Sequence, residues 1–427
     1  MSKEVKYKQR IADYMLRRRL EGKGAILIEG PKWCGKTTTA KQVAGSILNL
    51  GDITVLKEAQ QDFQMQPKKL LEGDTPRLID EWQTMTPLWD MVRSEVDERQ
   101  GEGHFILTGS SVPPEQDSLI HSGTGRIGRL KMRTMSLWES EESSGSVSLS
   151  DLFNGVDFGT PSNDINIEQL AFLICRGGWP KSTLLRKNAA LDEAFDYFDA
   201  IYNVDIHRVD NIRRSSERAR LLLRSYARNQ GSSISFEKMN AEIIDNDNKS
   251  ISSETISDYV GALRKIFVIE DMPAWNPNLR SKIAIQSTDT RYFTDPSIAT
   301  AALGISPDDL LNDLCSFGLF FETMAVRDLR TYADAMDGKI FHYRDSKGLE
   351  CDAVLHRRNG SYALIEIKLG GLDNIEKAAA TLKKMADKID TTKMPQPSFM
   401  MVLTGVGSYA YRRPDGVLVV PIGCLKD

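Results

Sequence analysis

Short apolar runs of strand length, separated by stretches with helical spacing, organise the first 140 residues. The run 25–29 (AILIE) predicts a strand that feeds a glycine-bounded loop and then a helix. Residues 53–56 (ITVL), 77–81 (RLIDE), 104–107 (HFIL) and 130–137 predict further strands, and 88–100 (LWDMVRSEVDERQ) has the period of an amphipathic helix. Ahead of them, Tyr7, Ile11, Tyr14, Met15 and Leu20 recur at helical spacing. Lys and Arg lie between them, and the run Arg17, Arg18, Arg19 reads as a solvated helix face. Strands alternating with helices are the mark of a parallel α/β sheet.

The pattern changes after residue 140. Residues 139–165 are acidic and then rich in Ser and Gly, as a linker or exposed insertion would be, and 176–180 (RGGWP) predicts a structural turn. Residues 197–228 are helical in composition and carry Arg208, Arg213, Arg214, Arg218, Arg220, Arg224 and Arg228. Asp205, Asp210 and Glu217 lie among them, so salt pairing competes with a phosphate-binding groove as the explanation. Between 233 and 275 two helices and a strand predict a winged helix-turn-helix. Its second helix presents Ser257, Asp258 and Gly261 before it reaches Arg264 and Lys265, a poor face for base edges, so the module is expected to pack and connect. A helix at 315–329, strands at 339–343, 351–356 and 362–369, a helix at 375–389 and strands at 399–403 and 417–422 predict a small α/β unit. The expected division is 1–140, 141–290 and 291–427. The expected class is α/β: a parallel sheet core, a helical middle and a small α/β end.

Composition adds bounds. A chain of 427 residues with 41% hydrophobic content exceeds one ordinary core. No apolar run approaches the roughly 18 residues of a membrane span, and the first twenty residues lack a signal peptide's apolar stretch. A cytoplasmic chain without membrane contact is expected. Net charge of -4 excludes a global basic field, so any nucleic-acid contact must be local. Cys34, Cys175, Cys315, Cys351 and Cys424 lie far apart, which excludes a zinc ribbon or a disulfide framework.

The chemistry concentrates first in Gly30, Pro31, Lys32, Trp33, Cys34, Gly35, Lys36 and Thr37, which fit G-x-x-x-x-G-K-[ST], with Thr38 following. This phosphate-binding P-loop turns successive backbone N–H groups toward phosphate oxygens. Lys36 is expected on the β- and γ-phosphates of ATP, and the Thr37 hydroxyl on Mg²⁺. Asp80 and Glu81 end the third strand, where a buried carboxylate needs compensation. Asp80 is the expected metal-holding acid and Glu81 the expected general base. Thr108 or Ser110 is expected to sense the γ-phosphate at a strand end, and Arg126, or else Arg129, to supply positive charge in cis or across a subunit interface.

Together GPKWCGKT, LIDEW, FILTGSS and the Leu137-Trp138-Glu139 stretch resemble AAA+ superfamily ATPases predicted in bacteria and archaea, which pair this core with a C-terminal domain of unknown function. The resemblance continues through RGGWP, Phe293-Thr294-Asp295-Pro296, Gly318 to Glu322, and Glu350-Cys351-Asp352 to Glu366-Ile367-Lys368. It implies ATP binding and hydrolysis. Many relatives carry Asn at the sensor position, where this chain has Thr or Ser.

Asp352, Glu366 and Lys368 form D-x13-E-x-K on two strands expected to pair. This resembles the restriction-endonuclease-like fold, which implies two acids on Mg²⁺, a lysine near the scissile phosphate and Glu322 as a helical acid. The plainer alternative is a charged edge pair on a hairpin. Three readings follow: an ATPase with a degenerate tail that binds a partner or oligomerises, an ATP-dependent nuclease acting on foreign DNA, and a P-loop small-molecule kinase. The third leaves the long C-terminal part unexplained. Nucleotide is the expected ligand, and nucleic acid, a protein or further copies of the chain are the candidate partners.

Overall fold

The computed structural model describes residues 7–109, 123–210, 212–247, 249–277 and 288–427. The chain forms two compact units, one of Met1–Thr134, Asn203–Arg214 and Gly261–Val268, the other of Met135–Tyr202, Ser215–Val260 and Ile269–Asp427.

In the first unit α1 (Ile11–Leu20), β1 (Ala25–Glu29), α2 (Lys36–Lys41), β2 (Ser46–Asn49), α3 (Ile53–Met65), β3 (Arg77–Asp80), α4 (Pro87–Glu98), β4 (Phe105–Gly109) and β5 (Ile127–Lys131) follow in order. The five strands make one parallel sheet, β2-β3-β4-β1-β5. Both faces are covered. Leu27, Leu48, Ile79, Phe105 and Leu107 join Leu88, Trp89 and Val92 of α4 in one core cluster, while Ile26, Ile28, Leu78, Ile106 and Leu130 on the alternate face are buried as well. Runs of consecutive apolar residues are what such a sheet needs.

One expected strand is a helix. Residues 53–56 open α3, because Asp52 caps its first turn by accepting from Thr54 N at 2.8 Å and from Val55 N, and KEAQQD continues it with helix-forming residues. The edge strand lies earlier, at β2. The strand expected over 130–137 is β5, which ends at Lys131.

The second unit contributes β6 (Val147–Ser148), α5 (Leu149–Phe153), α6 (Ile167–Arg176), α7 (Lys187–Asn203), α8 (Ser216–Arg228), α9 (Phe236–Asp247) and α10 (Ser253–Lys265). The ends of α7 and α10 belong to the first unit. An antiparallel ribbon bridges Ile269 to Phe293 and Met272 to Thr290. Then come α11 (Pro296–Leu303), α12 (Pro307–Asn312), α13 (Leu314–Ala335), β7 (Gly338–Arg344), β8 (Glu350–Arg357), β9 (Tyr362–Lys368), α14 (Leu372–Lys388), β10 (Phe399–Thr404), β11 (Tyr411–Arg412), β12 (Leu418–Pro421) and β13 (Leu425–Lys426). Six of these strands form a mixed sheet, β11-β12-β10-β9-β8-β7, and β13 pairs with β6. Helix α14 lies on the face carrying Val354, Leu364 and Val402.

The turn and the Asp-Pro step noted in the sequence meet at a buried ionic centre. Arg327 of α13 has a side chain 1% exposed and pairs with Asp295 at 3.0 Å and Asp328 at 2.8 Å. Asp295 also accepts from Gly178 N at 2.9 Å, Asp328 accepts from Leu137 N at 3.0 Å, and the Trp179 indole donates to Ser297 at 3.0 Å.

Candidate active site

The loop from Gly30 to Gly35 leaves the C-terminal end of β1. A Cβ on Gly30 would lie 2.0 Å from the Met132 carbonyl oxygen, and Gly35 has φ of +100°, so side chains are excluded at the first and strained at the second. Trp33, exposed, also adopts a positive φ of 63°. These turns tip backbone N–H groups into a concave nest suited to an anion.

Lys36 is 6% exposed, and its ammonium donates to the carbonyl oxygens of Gly30 at 2.9 Å and Pro31 at 2.7 Å. An ammonium held in the interior by neutral carbonyls is stabilised by an arriving anion. Lys32 pairs with the buried Asp205, the Cys34 thiol is buried, and the Thr38 side chain is exposed.

The buried Arg10 has no motif to announce it. Its guanidinium donates to Cys34 O and to Arg133 O, each at 2.9 Å, and so fastens the loop to the chain leaving β5. Beside it the Tyr7 hydroxyl donates to Asp13 at 2.6 Å and lies 3.0 Å from the Thr39 hydroxyl of α2. Burial, with Asp13 alongside, holds the Tyr7 hydroxyl protonated well above its ordinary range.

Asp80 ends β3 at 6% exposure, and the ladder sets it directly against Thr108 of β4. Its Oδ1 accepts from the Thr37 hydroxyl at 2.7 Å and from the Thr108 hydroxyl. Residues from the P-loop, the third strand and the fourth thus converge on one carboxylate oxygen. Ser110 lies outside the described residues. Glu81, next in the chain, has φ of 56° and ψ of 43°, and its carboxylate accepts from the Gln83 amide. A non-glycine residue held left-handed costs of order 1–3 kcal/mol and marks sites where a side chain must be aimed. The hydroxyl of Thr37 and the carboxylate of Asp80 are hard oxygen donors of the kind Mg²⁺ takes.

Arg126 is not brought to this edge. It precedes Ile127, which pairs with Ala25 at the start of β1, so it sits about 16 Å of strand away from Gly30 and forms an ion pair with Asp97 at 2.6 Å. This corrects the expectation of a role in cis. Arg129 pairs with Glu29 at 3.1 Å.

The second set of candidate residues lies in the other unit. Lys368 Nζ sits 2.7 Å from Asp352 Oδ2 and 2.8 Å from Glu366 Oε2, and Asp352 also accepts from Ile367 N at 2.8 Å. Burial, reinforced by the Asp352 charge, pushes the Glu366 carboxyl up to about 8. Burial works against the Lys368 charge, but Asp352 and Glu366 outweigh it and hold the ammonium above the usual lysine range. These three residues floor a cleft of about 720 Å³ whose walls include Lys347, Lys384 and Lys388. Glu322 does not line it. Its carboxyl accepts from the Tyr292 hydroxyl and is raised to about 8, first by burial and then by the Asp352 charge. Among the described residues no group of three or more His, Cys, Asp or Glu is placed to hold a metal ion.

The arginines of the helical middle are partly committed. Arg214 holds Asp210 at 2.6 and 3.0 Å, and Arg228 pairs with Glu242.

Comparison with known proteins matches residues 22–141 to an AAA domain family, 167–309 to a domain of unknown function (DUF8612), and 317–425 to another domain of unknown function (DUF4143). No curated protein matches the chain. Among solved structures, a Walker-type ATPase of Pyrococcus abyssi is 14% identical over 70% of this chain and 99% of its own, with a TM-score of 0.42. A RuvB variant of Thermotoga maritima is 16% identical over 62% and 87%, with a TM-score of 0.27. Cdc6p of Pyrobaculum aerophilum is 14% identical over 76% and 97%, with a TM-score of 0.25. The part of the chain that holds the P-loop, residues 22–141, is thus similar to AAA domains. Among the described residues no helix is long and apolar enough to cross a membrane.

Proposed function

We propose that the chain hydrolyses Mg-ATP at the C-terminal edge of its five-stranded sheet. The observation that carries this reading is the meeting of Thr37 and Thr108 on Asp80 beside the P-loop. Lys36 would exchange the carbonyls of Gly30 and Pro31 for β- and γ-phosphate oxygens. Thr37 and Asp80 would hold Mg²⁺, which supplies positive charge to the phosphates when bound. Glu81, aimed by its backbone and by Gln83, would take the proton of the attacking water. In this reading Arg126 acts only across a subunit interface, and the helices around α10 form a winged-helix module that packs, because Glu254, Ser257 and Asp258 occupy its exposed face.

Calorimetry with ATP and a phosphate-release assay without any added acceptor test this. Affinity and release that both depend on Mg²⁺ support hydrolysis, whereas phosphate retained until a small acceptor is supplied points to a kinase. Thr108, the expected γ-phosphate sensor, donates to Asp80, so Thr108→Val is expected to raise the Mg²⁺ needed for half-maximal turnover about tenfold, the size seen for partners that orient a metal's ligands.

The cluster of Asp352, Glu366 and Lys368 favours a second reading for the other unit, a metal-dependent nuclease. The two acids would share the ion and Lys368 would face the scissile phosphate. DNA or RNA nicking with Mg²⁺ or Mn²⁺ that persists in Asp352→Ala and Glu366→Ala removes it and leaves a binding module.

A further inference from the structure

Two consecutive residues of the chain leaving β5 brace the P-loop. Met132 closes against its first residue, where the Met132 carbonyl oxygen leaves room for nothing larger than Gly30. Arg133 holds the far end indirectly, because the Arg10 guanidinium spans the carbonyl oxygens of Arg133 and Cys34, at 2.9 Å to each. Arg10 is itself fixed. It is 5% exposed, stands at the N-cap of α1, and donates its backbone N–H to Asp13 at 2.8 Å. Tyr7 ties the same entry segment to α2 through the Thr39 hydroxyl.

What this clamp does follows from the geometry of one peptide. The Cys34–Gly35 bond is trans and planar, so its C=O and its N–H point in opposite directions. Arg10 fixes the carbonyl. The Gly35 N–H must therefore point the other way, and no backbone acceptor among the described residues takes it. Gly35 has φ of +100° and ψ of 16°, a left-handed turn of the kind that brings neighbouring N–H groups to one concave side. Glycine also makes this peptide the easiest of the loop to turn over, since nothing on its own side chain resists a change of φ. Released from Arg10, the peptide is free to flip, which puts a carbonyl oxygen where an anion needs a donor.

Resting on the ATPase reading of the P-loop, we infer that Arg10 is a positioning residue for nucleotide phosphates: it holds the Cys34–Gly35 peptide so that the Gly35 N–H is presented to a phosphate oxygen before the nucleotide arrives. Arg10 is assigned no contact with nucleotide or metal. Its contribution is preorganisation of a donor, and the phosphates that such a loop cradles are common to ATP and ADP, so it acts on both alike.

The test uses the full chain, with calorimetry for affinity and NMR for the peptide itself. Cys-Gly occurs once in the sequence, so labelling cysteine carbonyl carbons and glycine nitrogens isolates the Cys34–Gly35 peptide. In the wild type, saturating Mg-ADP is expected to move the Gly35 amide proton downfield, as a charge-assisted hydrogen bond does. Arg10→Ala is expected to lose that displacement even at saturation, and to bind ATP and ADP about tenfold more weakly, the effect of one such bond. Arg10→Lys should retain part of the affinity, because a single ammonium cannot span two carbonyls as the planar fork does. Arg17→Ala, exposed on α1, is expected to match the wild type in both readouts. Thermal melts establish that the variants fold, and where Arg10→Ala does not, Arg10→Lys carries the test. Wild-type affinity in both Arg10 variants overturns the inference. Weaker binding with the full amide displacement at saturation overturns it too, because an arginine that merely stabilises the fold gives that result. A wild type that binds no Mg-ATP fails earlier, at the ATPase reading, and takes the inference with it.

Discussion

Glu81→Gln is expected to lower phosphate release from ATP by about 10²- to 10⁴-fold while leaving the affinity for Mg-ATP close to wild type. Gln has the length of Glu and the same backbone preferences, so the left-handed turn at φ 56° and the pairing with Gln83 are retained in shape. What it loses is the ability to accept a proton. The Thr37, Asp80 and Thr108 contacts lie on the neighbouring carboxylate and are untouched, which is why binding and turnover separate in this variant. Lys36→Ala is the complementary case, because it removes the ammonium from the phosphate cradle and should weaken binding itself. Phosphate release and calorimetry on the same preparations check both. A turnover drop below about fivefold in Glu81→Gln would transfer the base role to another group.

What the sequence makes legible here is chemistry that is local along the chain. The P-loop needs its glycines, lysine and threonine within eight positions, and Asp80 and Glu81 are adjacent, so both can be read without knowing the fold. Arg10 cannot, because its meaning comes from carbonyls 24 and 123 residues away. Gln83 matters only because Glu81 turns back toward it. The strand expected over 53–56 fails for a related reason. A four-residue apolar run has no period of its own, and the cap at Asp52 decides the matter, while the helical spacing shows only when Val55, Leu56, Ala59 and Phe63 of α3 are taken together. Arg126 follows a loop in sequence, yet strand register puts it at the far end of β5 from the nucleotide edge. In the second unit, alternation along β9 places Glu366 and Lys368 on one face, and pairing with β8 brings in Asp352. Glu322, taken from the resemblance, is not among the residues lining the cleft but lies near enough for the Asp352 charge to raise its carboxyl.

Arg327→Leu is expected to destabilise the second unit by about 3–5 kcal/mol, because it strips the cation from between two interior carboxylates and leaves both uncompensated. Asp295 and Asp328 are fully buried, and each also accepts a backbone N–H that fixes it in place, so neither can turn out to water. Burial already raises the Asp328 carboxyl to about 6 against the pull of Arg327, and without the guanidinium it rises further. An acid whose folded-state pKa lies above its unfolded value near 3.9 binds protons more tightly when folded. Such a group costs stability as pH climbs through the folded value and recovers it as pH falls toward the unfolded one. The gap between variant and wild type should therefore be widest near pH 8 and narrow toward about pH 5. Arg327→Lys should fall between them, since a single ammonium cannot reproduce the fork that spans both carboxylates. Denaturant melts at several pH values measure all three. A loss below about 1 kcal/mol at neutral pH would mean that the ionic centre joining the Gly178 turn, the Asp295 cap and α13 is not what holds these segments together.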